Sequence, residues 1–299
     1  MKVLELCEQL DRLCIEYKTE YDLSGASTFR IGGRCSLALF PKSEQELILA
    51  LDLLDSHALP FYVLGRGSNT LISDGYINKA IVFTSGLDGI TQNGNTISCG
   101  AGVPLMKLSS IAAGVGLCGL EFACGIPGSV GGAVFMNAGA HGGSMAEVVV
   151  SSRAYDRSSN RVITVADHAF GYRKSIYMQN KDLVCLDVTI RLSNGDSEAI
   201  KQKMKELLAQ RREKQPLEFA SAGSYFKRPE GDFAGRLIEV CGLKGFTVGG
   251  AQVSKKHAGF VINRGGATFE DVISLEAEVV RRVYEQTGVT LHREVEIIE

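Results

Sequence analysis

The first seventeen residues, MKVLELCEQLDRLCIEY, place Val3, Leu6, Cys7, Leu10, Leu13, Cys14 and Tyr17 on one stripe, with acidic residues between them. Spacings of three and four predict an amphipathic helix, because residues so spaced share a face at 3.6 residues per turn. The pattern then shortens. CSLALFP reads as a strand, and PFYVLG as a buried strand that runs into a glycine loop. Between them SEQELILALDLLDSHAL returns to the helical period, and Ser43 with Glu46 forms a capping box at its start.

From the glycine loop to about residue 193, AIVFT, NTISCG, VVVSSRAYD, RVITVA and LVCLDVTIRL predict strands separated by glycine-rich turns. One helix, VPLMKLSSIAAGVG, interrupts them. The charged stretch GDSEAIKQKMKELLAQRREKQP predicts a solvated helix that closes at Pro216 and marks a domain boundary. Beyond it, a helix near FAGRLIEVCGL, a strand AGFVIN, a long helix from Thr268 to Gln286 and a final strand REVEIIE form a smaller α+β unit. The expected organisation is two domains, residues 1–195 and 196–299, with residues 1–60 open to packing as a subdomain of the first.

Composition narrows the function. The chain has 299 residues, 45% hydrophobic and 22% charged, which suffices to bury a core in each domain. A formal net charge of -2 argues against nucleic-acid binding through a bulk positive field. The eight cysteines contain no C-x-x-C pair and lie in apolar segments, as expected of reduced thiols in the cytoplasm. Five histidines form no H-E-x-x-H, so no metal site is expected. The N-terminus lacks the unbroken apolar core of a signal peptide, and no run reaches the roughly 18 apolar residues of a membrane span. A cytoplasmic protein without membrane or obligate protein partner is therefore expected.

Glycine is abundant, with 34 residues against 6 prolines. In GRGSN, Gly65 and Gly67 allow positive φ, so that backbone N–H groups converge on an anion, with Ser68 and Asn69 as further donors. Thr70 stands where a dinucleotide fingerprint has its third glycine, and the chain has no Gly-Lys pair for a P-loop. Taken alone, this loop is a weak signal and fits a surface hairpin better. The second glycine segment, Cys124 to Gly142, stays apolar over nineteen residues, which suits backbone lying against a flat cofactor and its diphosphate. Backbone packed on backbone is the competing reading.

A third stretch is AGSYFKRP. Ser224 lacks the G-x-S-x-G elbow and the histidine base of a nucleophile. It remains either a structural turn hydroxyl or something rarer, and any acid role would need a nearby cation, with Lys227 the obvious candidate, because a free hydroxyl is a poor acid. Around it, residues 219–265 carry seven basic side chains (227, 228, 236, 244, 255, 256, 264) against three acids (230, 232, 239), a local excess of positive charge in a chain of net -2.

The blocks STFRIGG, VLGRGSNTLI, GAGVPL, GLEFACGIPGSVGGAVFMNAGAHG, FGYRKSIY, AGSYFKRP, GLKGFTVGGAQVSKKHAGFVIN and HREVEII occur in this order along essentially the whole chain. Together they resemble the UDP-N-acetylenolpyruvoylglucosamine reductases, flavoenzymes of peptidoglycan precursor synthesis. The resemblance implies an α+β chain: an FAD-binding domain of the vanillyl-alcohol oxidase/p-cresol methylhydroxylase type over about residues 28–193, then a smaller α+β substrate-binding domain. It implies non-covalent FAD, NADPH as co-substrate, and UDP-N-acetylglucosamine enolpyruvate as substrate. By the same resemblance Arg173 is the catalytic arginine, Ser224 the proton donor and Glu294 the acidic partner. Arg30, Gly65, Gly67, Ser68, Asn69, Gly102, Pro127, Gly128, Ser129, Gly132 and Asn137 would hold the cofactor. Tyr172, Lys227, Arg228, Lys256 and His257 would hold the substrate.

Two positions depart from the family pattern: Arg228 stands where many members have Asn, and Glu296 where many have Arg. The spacing of about 50 residues between Arg173 and Ser224 resembles the subgroup without a substrate-clamping loop. A flavin oxidase of the same fold, or a non-catalytic flavin or nucleotide-sugar binder, would share the first domain but would have no use for Arg173, Ser224 and Glu294 together.

Overall fold

The computed structural model describes residues 2–299. Backbone contacts sort the chain into two compact units built from interleaved segments. The first holds the chain up to Thr19, Leu37–Arg66 and Lys79–Ala209; the second holds Glu20–Ser36, Gly67–Asn78 and Gln210–Glu299. A single cut at 195/196 does not describe this grouping. The physical reason lies in the second unit's core, where Phe29, Ile31 and Leu71 from the early segments are buried with Leu237, Leu275 and Val279.

In the first unit, α1 (Lys2–Arg12) is shorter than the stripe suggests. Cys14 turns left-handed at φ 55°, and the Ile15 N–H closes the helix end onto the Leu10 carbonyl at 3.0 Å. Leu13 is left 41% exposed, and Tyr17 opens a strand, Tyr17–Asp22, instead of extending the helix. Helix α2 (Glu44–Ser56) begins where expected, with Ser43 Oγ accepting from the Glu46 N–H at 3.2 Å. The reciprocal half of the box differs: the Glu46 carboxylate accepts from the Lys42 N–H at 2.8 Å.

A sheet runs in the order Tyr17–Asp22, Arg34–Leu39, Tyr76–Phe83, Phe61–Leu64, with the last pair parallel and Phe61 opposite Ala80. An antiparallel sheet follows in the order Arg161–Val165, Val149–Asp156, Leu183–Arg191, Thr96–Gly100, Ile90–Asn93. Its core includes Val188, Ile190 and Ile97, and α3 (Leu105–Gly114) contributes Leu105 and Leu108. The glycine-rich segment is not all loop. It contains a short helix, α4 (Val130–Phe135), capped by Ser129 Oγ on the Gly132 N–H at 3.3 Å. Helix α5 (Ile176–Gln179) follows, and α6 (Ser197–Lys214) buries only Ile200, as its charged sequence demands.

In the second unit an antiparallel sheet runs in the order Ala220–Ser224, Phe260–Asn263, Ala251–Val253, Thr247–Val248. Helices α7 (Ala234–Val240) and α8 (Phe269–Thr287) pack their apolar residues into the same core. The α8 start carries a complete capping box between Thr268 and Asp271, and Gly288 ends the helix at φ 71°. The final strand, Glu296–Ile298, pairs parallel with Thr70–Ile72. Among the described residues no helix is long and apolar enough to cross a membrane.

Candidate functional site

Arg173 sits at the tip of a turn closed by the bridge between Gly171 and Lys174. Its own backbone is left-handed at φ 50°, an uncommon state for a residue with a Cβ. The turn is held from several sides. Ser175 Oγ donates to the Phe135 carbonyl at 2.5 Å, and the Ile176 N–H to the His168 carbonyl at 2.7 Å. The Asn137 amide donates to the Gly171 carbonyl at 2.9 Å and accepts from the Ala146 N–H at 2.9 Å. The guanidinium lies 3.4 Å from the Asn137 carbonyl and 3.5 Å from that of Gly139, and 5.2 Å over the Tyr172 ring. Asn137, itself at φ 46° and 8% exposed, therefore spends its side chain on the Arg173 turn. Tyr172 is 57% exposed.

Two glycines of the first unit lie where a side chain would crowd its neighbours. A Cβ on Gly65 would lie 2.2 Å from Ser129 Oγ, and one on Gly102 would lie 1.9 Å from the Thr84 carbonyl oxygen. Gly128 takes the Leu105 N–H on its carbonyl at 2.9 Å, Ser129 is buried, and Pro127 is exposed. The segment thus runs along residues 101–105, with Val130 and Gly131 donating to Val103 and Ala101.

In the loop after Leu64, the N–H groups of Gly65, Arg66, Gly67 and Ser68 donate to no protein acceptor among the described residues, although Gly67 is buried. An unmatched buried donor costs about 1–3 kcal/mol. Oxygens of a diphosphate would supply the missing acceptors. The donor set therefore fits the FAD expected from the sequence.

The second unit brings Ser224, Lys227 and Glu294 together. Gly223, at φ 78°, makes an irregularity in the pairing with Phe260–Asn263, after which Ser224 stands opposite Phe260 with an exposed side chain. The chain beyond it pairs with the segment of Glu294: Phe226 bridges Arg293, the Glu294 N–H donates to the Tyr225 carbonyl at 2.8 Å, and the Lys227 N–H to the His292 carbonyl at 2.8 Å. Glu294 is 8% exposed, and its carbonyl accepts from the Asn69 side chain at 3.1 Å. Asn69 is thus engaged with the Glu294 strand.

Arg228 stacks 3.9 Å over the half-exposed Phe233 ring. Lys256 donates to the Arg212 carbonyl at 2.6 Å, at the C-terminal end of α6, and lies 3.9 Å from Glu218, so its ammonium already has structural partners. His257 accepts from the Gly259 N–H on Nδ1 at 3.1 Å, leaving Nε2 as the donor, and burial pushes its imidazole below the usual pKa. Arg30 is exposed and left-handed at φ 55°. Asn263, not singled out by the sequence, donates to the Phe29 and Arg30 carbonyls at 3.1 and 3.4 Å while accepting from Gly265 and Ala267. An asparagine at a strand end before Arg-Gly-Gly was the available signal.

Residues 35–166 match the family model described as an FAD binding domain, which defines the class: a flavoprotein with a separate C-terminal unit. Residues 215–298 match the C-terminal domain of UDP-N-acetylenolpyruvoylglucosamine reductase. A reductase of that name from Clostridium perfringens is 47% identical over 271 residues, covering 90% of this chain and 89% of the relative. One from Clostridium botulinum is 43% identical over 272 residues. The crystal structure of the Thermus caldophilus reductase superposes with a TM-score of 0.80 at 33% identity, covering 95% of this chain and 99% of that one. The chain belongs to the UDP-N-acetylenolpyruvoylglucosamine reductase family.

Proposed function

We infer that the protein reduces UDP-N-acetylglucosamine enolpyruvate to UDP-N-acetylmuramate, a step of peptidoglycan precursor synthesis, with NADPH as co-substrate and non-covalent FAD. FAD, when bound, supplies the hydride it has taken from NADPH. The remaining work falls to side chains. As hydride reaches the terminal carbon of the enol ether, negative charge builds on the adjacent carbon and its carboxylate. The Arg173 guanidinium, always charged and fork-shaped, opposes that charge, and a fixed donor of this kind is worth several kcal/mol, roughly 10²–10³-fold in rate. Ser224 gives its proton to the adjacent carbon. Lys227 stabilises the oxygen left behind, and Glu294 in its acid form shares a proton with the enolate.

The observation that carries this reading is the pairing of the exposed Ser224 segment with the segment of buried Glu294, with Lys227 in the same ladder. Arg30, Gly65, Gly67, Ser68, Asn69, Gly102, Pro127, Gly128, Ser129, Gly132 and Asn137 form or support the cofactor cradle. Tyr172, Lys227, Arg228, Lys256 and His257 take the substrate, with residues 196–299 as its principal binding domain. Location in the cytoplasm, and action without an obligate protein partner, complete the proposal.

The test is NADPH oxidation by FAD-loaded protein with and without the enolpyruvyl sugar. Rapid oxidation should require the sugar. Ser224→Ala should lower sugar reduction by about 10²–10⁴-fold while flavin reduction by NADPH persists. A yellow protein indifferent to the sugar would overturn the substrate assignment.

A further inference from the structure

Ser224 and Glu294 stand on segments joined by a single antiparallel bridge and two flanking backbone bonds, from Glu294 to Tyr225 and from Lys227 to His292. A pairing this short is marginal without support. Support comes from α8. One carboxylate oxygen of Glu276, Oε2, accepts from the Tyr225 hydroxyl at 2.7 Å and from Arg293 Nη1 at 2.9 Å. Tyr225 follows Ser224 and Arg293 precedes Glu294, so one atom grips both segments beside their functional residues. The tyrosine is 0% exposed and the Glu276 side chain 17%, so these bonds are charge-assisted and little screened.

We propose that Glu276 is a positioning residue, clasping the Ser224 and Glu294 segments in register and so fixing the distance between proton donor and acid. The proposal rests on the roles given to Ser224 and Glu294 above. Tyr225 and Arg293 act only through the clasp. A displacement of about 1 Å between groups that must act on one carbon can lower a rate on the order of a hundredfold.

Glu276→Gln and Tyr225→Phe, made in the full chain and loaded with FAD, test this. Sugar reduction at saturating substrate should fall roughly 10–100-fold in Glu276→Gln and severalfold in Tyr225→Phe. Flavin reduction by NADPH should stay within about twofold of wild type in both variants, since the clasp lies on the sugar-protonating residues. The double variant should lose no more than Glu276→Gln alone, because both changes break one unit.

Amide hydrogen exchange gives a second readout that needs no activity. The Lys227 and Glu294 amides should exchange about tenfold faster, while Val253 and Ser254, bonded to Phe246 and Phe260 in the neighbouring sheet, keep their protection. Unchanged exchange at Lys227 and Glu294 in both variants overturns the clasp. Equal loosening at Val253 and Ser254 also overturns it, reducing Glu276 to general stability. If Glu276→Gln fails to fold, Tyr225→Phe carries the test, since it retains the Glu276–Arg293 pair. A wild-type protein that ignores the sugar defeats the functional reading alone, and the exchange result still decides the clasp.

Discussion

Two arginines with proposed functions, Arg30 and Arg173, sit in left-handed backbone, and a buried asparagine holds the turn of each. Left-handed backbone costs a non-glycine residue roughly 1–3 kcal/mol, and saturated amide contacts offset it. Asn137→Ala removes the contacts to Gly171 and Ala146 and strains its own φ of 46°. The expected loss is about 2–3 kcal/mol of stability, with slower sugar reduction. Asn137→Gly, which relieves the strain but not the lost contacts, should fall between; equal melting temperatures for all three proteins would refute this account.

His168 is 4% exposed, stacks on Phe170 at 4.9 Å, and has Nε2 2.8 Å from Ser152 Oγ, which in turn lies 2.6 Å from the Tyr177 hydroxyl. Burial lowers its pKa, as it does for His257. Both rings bind protons more readily unfolded, so their stabilisation is complete above the ordinary histidine pKa of about 6.5 and is lost as pH falls through the folded values. Melting temperature should therefore drop between pH 7.5 and 5.5, less steeply in His168→Gln; identical slopes would sink the assignment. The blocks that carry Arg173, Ser224 and Glu294, whose roles are proposed above, stand out in the sequence because each is a short local motif. The work of Asn137, Asn263 and Glu276 was not legible there, because their partners lie on segments that only the fold brings near.

Helix α2 is bolted to the antiparallel sheet by alternate residues of one strand and its extension. Arg153 donates to Glu44 at 2.8 and 2.6 Å and to Asp187 at 2.9 Å, Tyr155 donates to Asp52, and Arg157 donates to Asp55 at 2.9 and 2.5 Å. Positions 153, 155 and 157 share a face at the two-residue period of a strand, and they meet acids along the helix. Partly exposed pairs are worth about 0.2–1 kcal/mol each. Glu44→Gln with Asp55→Asn should lower the melting temperature by about 2–4 °C, and the difference should shrink in 1 M salt. A salt-independent difference would point to packing instead. The helices themselves were readable from period and caps, as at Ser43 and Thr268. The short strands Thr70–Ile72 and Thr247–Val248 were not, since they carry too few positions to show a period. Helix α4 was hidden by its glycines, which suit close backbone approach better than helix propensity; a Cβ on Gly131 would lie 2.8 Å from that of Ala101.

The order of segments can be read along the chain, but their grouping into two units cannot. Composition changes at Pro216, whereas Phe29, Ile31 and Leu71 join a core whose other members lie beyond residue 220. A fragment of residues 196–299 therefore lacks part of its own interior. Burying a side chain of this size contributes about 1.5–3 kcal/mol, and three missing from one core exhaust much of a domain's net stability. The isolated fragment should show no cooperative thermal transition by circular dichroism; a sharp one would mean that the early segments are dispensable.

The parallel pairing of Thr70–Ile72 with Glu296–Ile298 also fixes an order of events during synthesis. A ribosome adding about 5–20 residues per second needs roughly 10–45 s to travel from the earlier strand to the later one. Throughout that interval the nascent chain carries the unmatched edge of Thr70, Leu71 and Ile72, which Glu296, Ile297 and Ile298 later pair with.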